Sequence, residues 1–128
     1  MSFLDRVLRF DGVHIVCTAI SHTDPAHPLA RGGKLHAVAG LEYGAQAMAL
    51  HGALMSADDR PSAMGVIASV RALAWTVERL DDIAEPLEIE ARRISGAGAQ
   101  VAYAFAIRAA ARDIVSGRIT ALLRTELP

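Results

Sequence analysis

The spacing of apolar residues along the chain changes twice, from strand-like alternation to a helical run and back. Residues 6–20 alternate after one break. Val7-Leu8-Arg9-Phe10 is followed by Asp11-Gly12, a pair that tolerates positive φ and predicts a hairpin turn. Val13, Ile15, Cys17 and Ala19 then share one strand face, and His14, Val16, Thr18 and Ile20 the other. Residues 21–34 are irregular, punctuated by Pro25, Pro28, Gly32 and Gly33. Residues 35–56 predict the one long helix, rich in Ala, Leu and Met and free of proline. It is apolar almost all round, as expected of a helix enclosed by other structure. Gly40 and Gly44 stand four apart, as do Ala45 and Ala49, so another backbone can approach closely. Residues 57–61 end the helix as a polar loop. Strands follow at 66–77, 87–94, 100–112 and 113–123, with Pro86, Gly96 and Gly98 between them. In the alanine-rich stretch 100–112, the period-two spacing of Val101, Tyr103, Phe105 and Ile107 argues strand over helix. The expected fold is α+β, an antiparallel sheet wrapped around one long central helix. The small residues suggest that two such units pair.

Composition narrows this picture. The 128 residues make one domain, 1–128, and 52% are hydrophobic against 21% charged. Alanine supplies 25 positions and aromatics only 5%, so the core is built from small, closely packed side chains. A net charge of −1 argues against a general affinity for nucleic acid. Cys17 is the single cysteine, so no internal disulfide forms, and a reducing cytoplasm fits. There is no secretory pattern at the start of the chain. The apolar run 35–55 contains His36, Glu42, Gln46 and His51, which argues for burial in protein and against a membrane. No pair shows the spacing of a zinc-binding His-x-x-x-His motif and one cysteine is too few, so no metal is expected, and no cofactor either.

The candidate chemistry centres on Glu42. A carboxyl inside an apolar helix is partly desolvated, so its pKa rises and its neutral form can donate a proton. Gln46 lies one turn on, along the same face. His27 and His22 sit in the loop ahead of the helix, where side chains can converge on Glu42, and are the candidate bases. His36 opens the helix, His14 is in a strand, and His51 falls on the helix's opposite side. Gly33 and the helix start near Ala37 offer free N–H groups that can polarise a carbonyl. No serine or cysteine carries a nucleophile signature.

The run Gly40-Leu41-Glu42-Tyr43-Gly44-Ala45-Gln46-Ala47-Met48-Ala49 resembles the helix motif of bacterial 3-hydroxyacyl-[acyl carrier protein] dehydratases of the hotdog superfamily. The opening Phe3-Leu4-Asp5-Arg6-Val7-Leu8 is similar to theirs too, and the likeness is nearest to the dehydratase-like proteins of aryl-polyene clusters. The resemblance implies that Glu42 protonates a departing hydroxyl, a histidine takes the α-proton, and the Ala37 N–H holds the thioester oxygen. The two catalytic side chains would come from different protomers. The family's histidine stands fourteen residues before its carboxyl. That position is Pro28 here, with His27 beside it, and His36-Ala37 replaces the family's Pro-Gly. The implied partners are an acyl carrier protein with a phosphopantetheine-linked chain and a second hotdog subunit, either a copy of this chain or a related one. Val38, Met48, Met64 and Trp75 would line a tunnel, and Arg31, Lys34, Arg71 and Arg79 a basic rim. A hotdog thioesterase using Glu42 to activate water, and a non-catalytic acyl-binding or partner subunit, are the alternatives.

Overall fold

The computed structural model describes residues 2–55, 65–97 and 99–123. Ser56, the expected loop 57–61, Met64 and Gly98 lie outside them. Among the described residues six strands, numbered in chain order, form one antiparallel sheet in the order β1-β2-β4-β5-β6-β3. β1 (Arg6–Phe10) and β2 (His14–Ala19) are the expected hairpin. Asp11 holds its turn, accepting the N–H groups of Val13 and His14 at 2.8 Å each. α1 (Gly40–Met55) then crosses the sheet to β3 (Gly65–Trp75) on the far edge. β4 (Leu87–Ala97), β5 (Gln100–Ala109) and β6 (Arg112–Leu123) fill the middle.

Alternation decides which side faces the helix. Ile15, Cys17 and Ala19 of β2, Leu87, Ile89 and Ala91 of β4, and Tyr103, Phe105 and Ile107 of β5 are buried beneath α1. Burial pushes the Cys17 thiol up to about 11, which leaves it unreactive. The helix lies so close that a Cβ on Gly44 would fall 2.5 Å from Phe105 Cγ, and one on Gly40 3.0 Å from Ile107 Cδ1 and Val115 Cγ1. No described helix is long and apolar enough to cross a membrane.

Three expectations need correction. The helix does not begin at residue 35. Leu35 to Ala37 run extended against residues 78–80, with Leu80 N–H on the Leu35 carbonyl at 2.7 Å and Ala37 N–H on that of Glu78 at 2.9 Å. A 3₁₀ turn, Ala37–Ala39, then leads into α1. Nor is the helix enclosed, because Glu42, Ala49, Gly52 and Ala53 leave one flank open to water. Finally, β5 ends at Ala109 and turns to β6 through Ala110 and Ala111, at φ 51° and 64°. Alanine is not a turn residue, and its Cβ is strained at positive φ.

The 35–37 segment is clasped by Asp81. Its Oδ1 accepts the Leu35 N–H at 2.8 Å and the Arg79 Nε–H at 3.0 Å, and its other oxygen pairs with Arg79 Nη2. The Arg79 guanidinium, aided by that backbone N–H, holds the carboxyl well below the usual carboxylate range.

Two expectations about stability follow from this packing. Gly44→Ala lowers stability by about 2 kcal/mol despite alanine's helix propensity, since Phe105 must move, while Ala111→Gly raises it by about 1 kcal/mol by relieving positive φ. Urea denaturation measures both. Because the folded state depresses the Asp81 pKa, its contribution is present above the ordinary value of 3.8 and drains away as pH falls below it. Stability measured against pH therefore declines less steeply in Asp81→Asn than in the wild type below about pH 4.

Candidate active site

The loop ahead of the helix is organised by one directed chain of hydrogen bonds. His27 is 5% exposed. Its Nδ1 lies 3.1 Å from the Leu29 backbone nitrogen, which can only donate, so Nδ1 accepts and the neutral ring carries its proton on Nε2. Nε2–H donates to the Tyr43 hydroxyl at 3.1 Å. Tyr43 donates in turn to Ser21 Oγ at 2.7 Å, and Ser21 to the Phe3 carbonyl at 2.8 Å. The Phe3 N–H completes the tie by donating to Gln46 Oε1 at 2.7 Å, and its ring lies 4.3 Å from that of His27. Desolvation lowers the His27 pKa; Asp24 opposes this and His22 adds to it. Burial also pushes the Tyr43 hydroxyl up, so the chain is neutral throughout.

His22 is 1% exposed and donates from Nε2 to the Ile83 carbonyl at 2.9 Å. Its Nδ1 is buried with no partner among the described residues. The deeply buried His51 is also fixed, donating from Nε2 to the Asp11 carbonyl at 2.8 Å and accepting from Tyr103 on Nδ1. It ties the helix to the first hairpin, away from the loop. Among the described residues no three of His, Cys, Asp and Glu converge as metal ligands.

Glu42 stands apart from both loop histidines. It is exposed, so the desolvation expected of a mid-helix carboxyl is absent in the single chain. One residue turns a helix by about 100°, so Tyr43 faces His27 and the interior while Glu42 looks outward. Gln46 is tied to the N-terminal segment through Phe3.

The expected N–H donors around Ala37 are occupied. Ala37 donates to Glu78, Val38 to His36 Nδ1 at 2.9 Å, Ala39 to the His36 carbonyl at 3.0 Å, and Gly40 to the carbonyls of Ala37 and Val38. The free Ala37 N–H expected from the sequence is therefore corrected: the extended pairing with residues 78–80 consumes it. Gly32 and Gly33, at φ 58° and 76°, form an exposed two-residue turn closed by Arg31 and Lys34. Positive φ at both positions explains the glycines there.

Beside the helix start lies an open groove of about 340 Å³, lined by Leu29, Arg31, Lys34, His36, Glu78 and Arg79. Three of the four expected rim cations thus share one surface, whereas Arg71 is on β3 opposite Arg118. Val38 and Trp75 are 44% and 42% exposed and Met48 is buried, so among the described residues those expected to line the tunnel do not share one enclosed channel in a single chain. Tyr43 and Ser21 were not among the expected site residues, and His36 was expected only at the helix start. An aromatic hydroxyl in the middle of an apolar helix was the available signal, since such a group needs a buried partner.

Known proteins bear on this geometry. Among solved structures, the dehydratase heterocomplex ApeI:P from Xenorhabdus doucetiae matches with a TM-score of 0.83 at 19% identity, over 98% of this chain and 84% of that one. Thioesterase HI1161 from Haemophilus influenzae matches at 0.69 and 15% identity, over 95% and 79%. A hypothetical thioesterase with coenzyme A from Streptococcus pneumoniae matches at 0.68 and 14%, over 96% and 88%. These likenesses establish the hotdog fold, which dehydratases and thioesterases share. No curated protein matches the chain by sequence. The family model described as ApeP dehydratase matches residues 1–127, and on that match the chain belongs to the ApeP-like dehydratase family.

Proposed function

We propose that this protein supplies the acid, Glu42, to a dehydratase site whose base belongs to a second, ApeI-type hotdog subunit. The substrate is a 3-hydroxyacyl thioester on an acyl carrier protein in the cytoplasm, and the whole chain, 1–128, acts as one hotdog domain. The observation that carries this reading is the opposed outlook of the carboxyl and the imidazoles. Glu42 points out of the open flank of α1, while His27 is turned inward.

Neither loop histidine offers an accessible lone pair. That of His27 is taken by the Leu29 N–H, and that of His22 is sealed in the interior. Both therefore seat the loop in this account, and the proton acceptor comes from the facing subunit. That base removes the α-proton, and the electron pair moves onto the thioester oxygen as an enolate. When the enolate collapses, the β-carbon–oxygen bond breaks and the Glu42 proton leaves with the hydroxyl as water. The product is a trans-2-enoyl thioester. A facing subunit also covers the open helix flank, withdrawing Glu42 from water as an acid catalyst requires. The cationic groove at Arg31 and Lys34 suits the phosphate of a phosphopantetheine arm and an acidic carrier.

A second reading, an acyl thioesterase, rests on the exposed Glu42, which can activate water without a histidine. The products separate the two, a free acid and thiol in one case and an enoyl thioester in the other.

The test is turnover of a 3-hydroxyacyl thioester, followed by mass spectrometry. The chain co-expressed with an ApeI-type subunit loses water from the substrate, and Glu42→Gln lowers that rate by roughly 10²–10⁴-fold. His27→Gln and His22→Gln lower thermal stability but leave turnover per folded complex within a few-fold. Release of free acid moves the assignment to thioesterase. An unchanged rate in Glu42→Gln overturns the role of Glu42.

A further inference from the structure

The Ala37 N–H is committed to Glu78, so the backbone donor expected from the resemblance is not available to a thioester oxygen. The groove beside it does hold another donor. His36 caps the 3₁₀ turn by accepting the Val38 N–H on Nδ1 at 2.9 Å. A backbone N–H only donates, so the neutral ring must carry its proton on Nε2. That nitrogen lies across the ring from the cap and has no protein partner among the described residues. The ring is an exposed wall of the groove and is braced edge-on by Trp75, with centroids 5.3 Å apart at 85°. Its backbone is held by the bridge to Arg79. The result is an exposed imidazole held by its cap and by Trp75, with no hydrogen-bond partner for Nε2 among the described residues, in the groove that Arg31 and Lys34 also line.

We infer that the His36 Nε2–H, in place of a backbone N–H, polarises the thioester carbonyl of the substrate. This rests on the proposed dehydratase reading. The donor is aimed before substrate arrives, which makes it effective against charge that develops on the carbonyl oxygen. Arg31 and Lys34 in the same groove favour that charge, while Glu78, which also lines it, opposes it and Arg79 is paired with Asp81. His36 caps the 3₁₀ turn that leads into α1 and Glu42 lies in the first turn of α1, so both stand at the same end of the helix. His36 thus has a chemical role as well as a capping one.

The test reads the carbonyl directly. A ¹³C=O-labelled trans-2-enoyl thioester is bound to the complex with the ApeI-type subunit, and its infrared stretch is recorded. The wild type and Glu42→Gln lower the stretching frequency relative to the thioester in buffer. His36→Asn, whose side chain can still cap Val38 but lacks the ring N–H, abolishes the shift, as does His36→Phe. Both cut turnover roughly 10²-fold, mainly in kcat. A shift that persists in both His36 variants overturns the inference. A shift that depends on His36 in a complex that does not dehydrate upholds the carbonyl contact and rejects the dehydratase reading instead.

Discussion

Everything in this fold depends on how closely one helix can lie on a six-stranded sheet. At Gly44 the backbone of α1 meets the ring of Phe105 with no side chain between them, and at Gly40 it meets Ile107 and Val115 almost as closely. Glycine at those two positions lets the helix sink into the sheet, so short alanine side chains fill the remaining space. The same approach sets which residues turn inward. Tyr43 sits between the two glycines and is driven into the interior, where its hydroxyl has to find partners. It finds His27 and Ser21, and through Ser21 the N-terminal segment. Glu42, one position earlier, is thereby turned outward.

Much of the architecture was legible in the sequence. The Asp11-Gly12 hairpin, the single helix and the alternation of Val101, Tyr103, Phe105 and Ile107 are local signals, and all describe the structure. What was illegible depends on distant pairing. Nothing near residue 35 announces that it will run extended against residues 78–80, yet that pairing delays the helix and consumes the Ala37 N–H. The Ala110-Ala111 turn was hidden because alanine carries no turn chemistry; the register of β5 and β6 imposes it. The open helix flank was missed because its small apolar residues look the same whether this chain or another covers them.

The site shows a similar division. Glu42 and the two loop histidines could be picked out as titratable groups in unusual surroundings, but the direction in which each hydrogen bond runs could not. That direction decides the chemistry. Backbone amides at Leu29 and Val38 occupy Nδ1 of His27 and of His36, so both neutral rings carry the proton on Nε2. In His27 that proton is spent inward on Tyr43, whereas in the exposed His36, which lines the groove, it has no hydrogen-bond partner among the described residues. Two histidines with the same local turn thus have opposite uses, one structural and one open to a ligand.

The account stands on the claim that this chain's own loop histidine has no lone pair to offer. Long-range ¹H–¹⁵N correlation of the imidazole rings at neutral pH measures this directly. The account predicts a neutral His27 with its proton on Nε2 and a hydrogen-bonded Nδ1. A His27 that carries its proton on Nδ1 and leaves Nε2 bare toward the helix would contradict it, and would return the base to this chain.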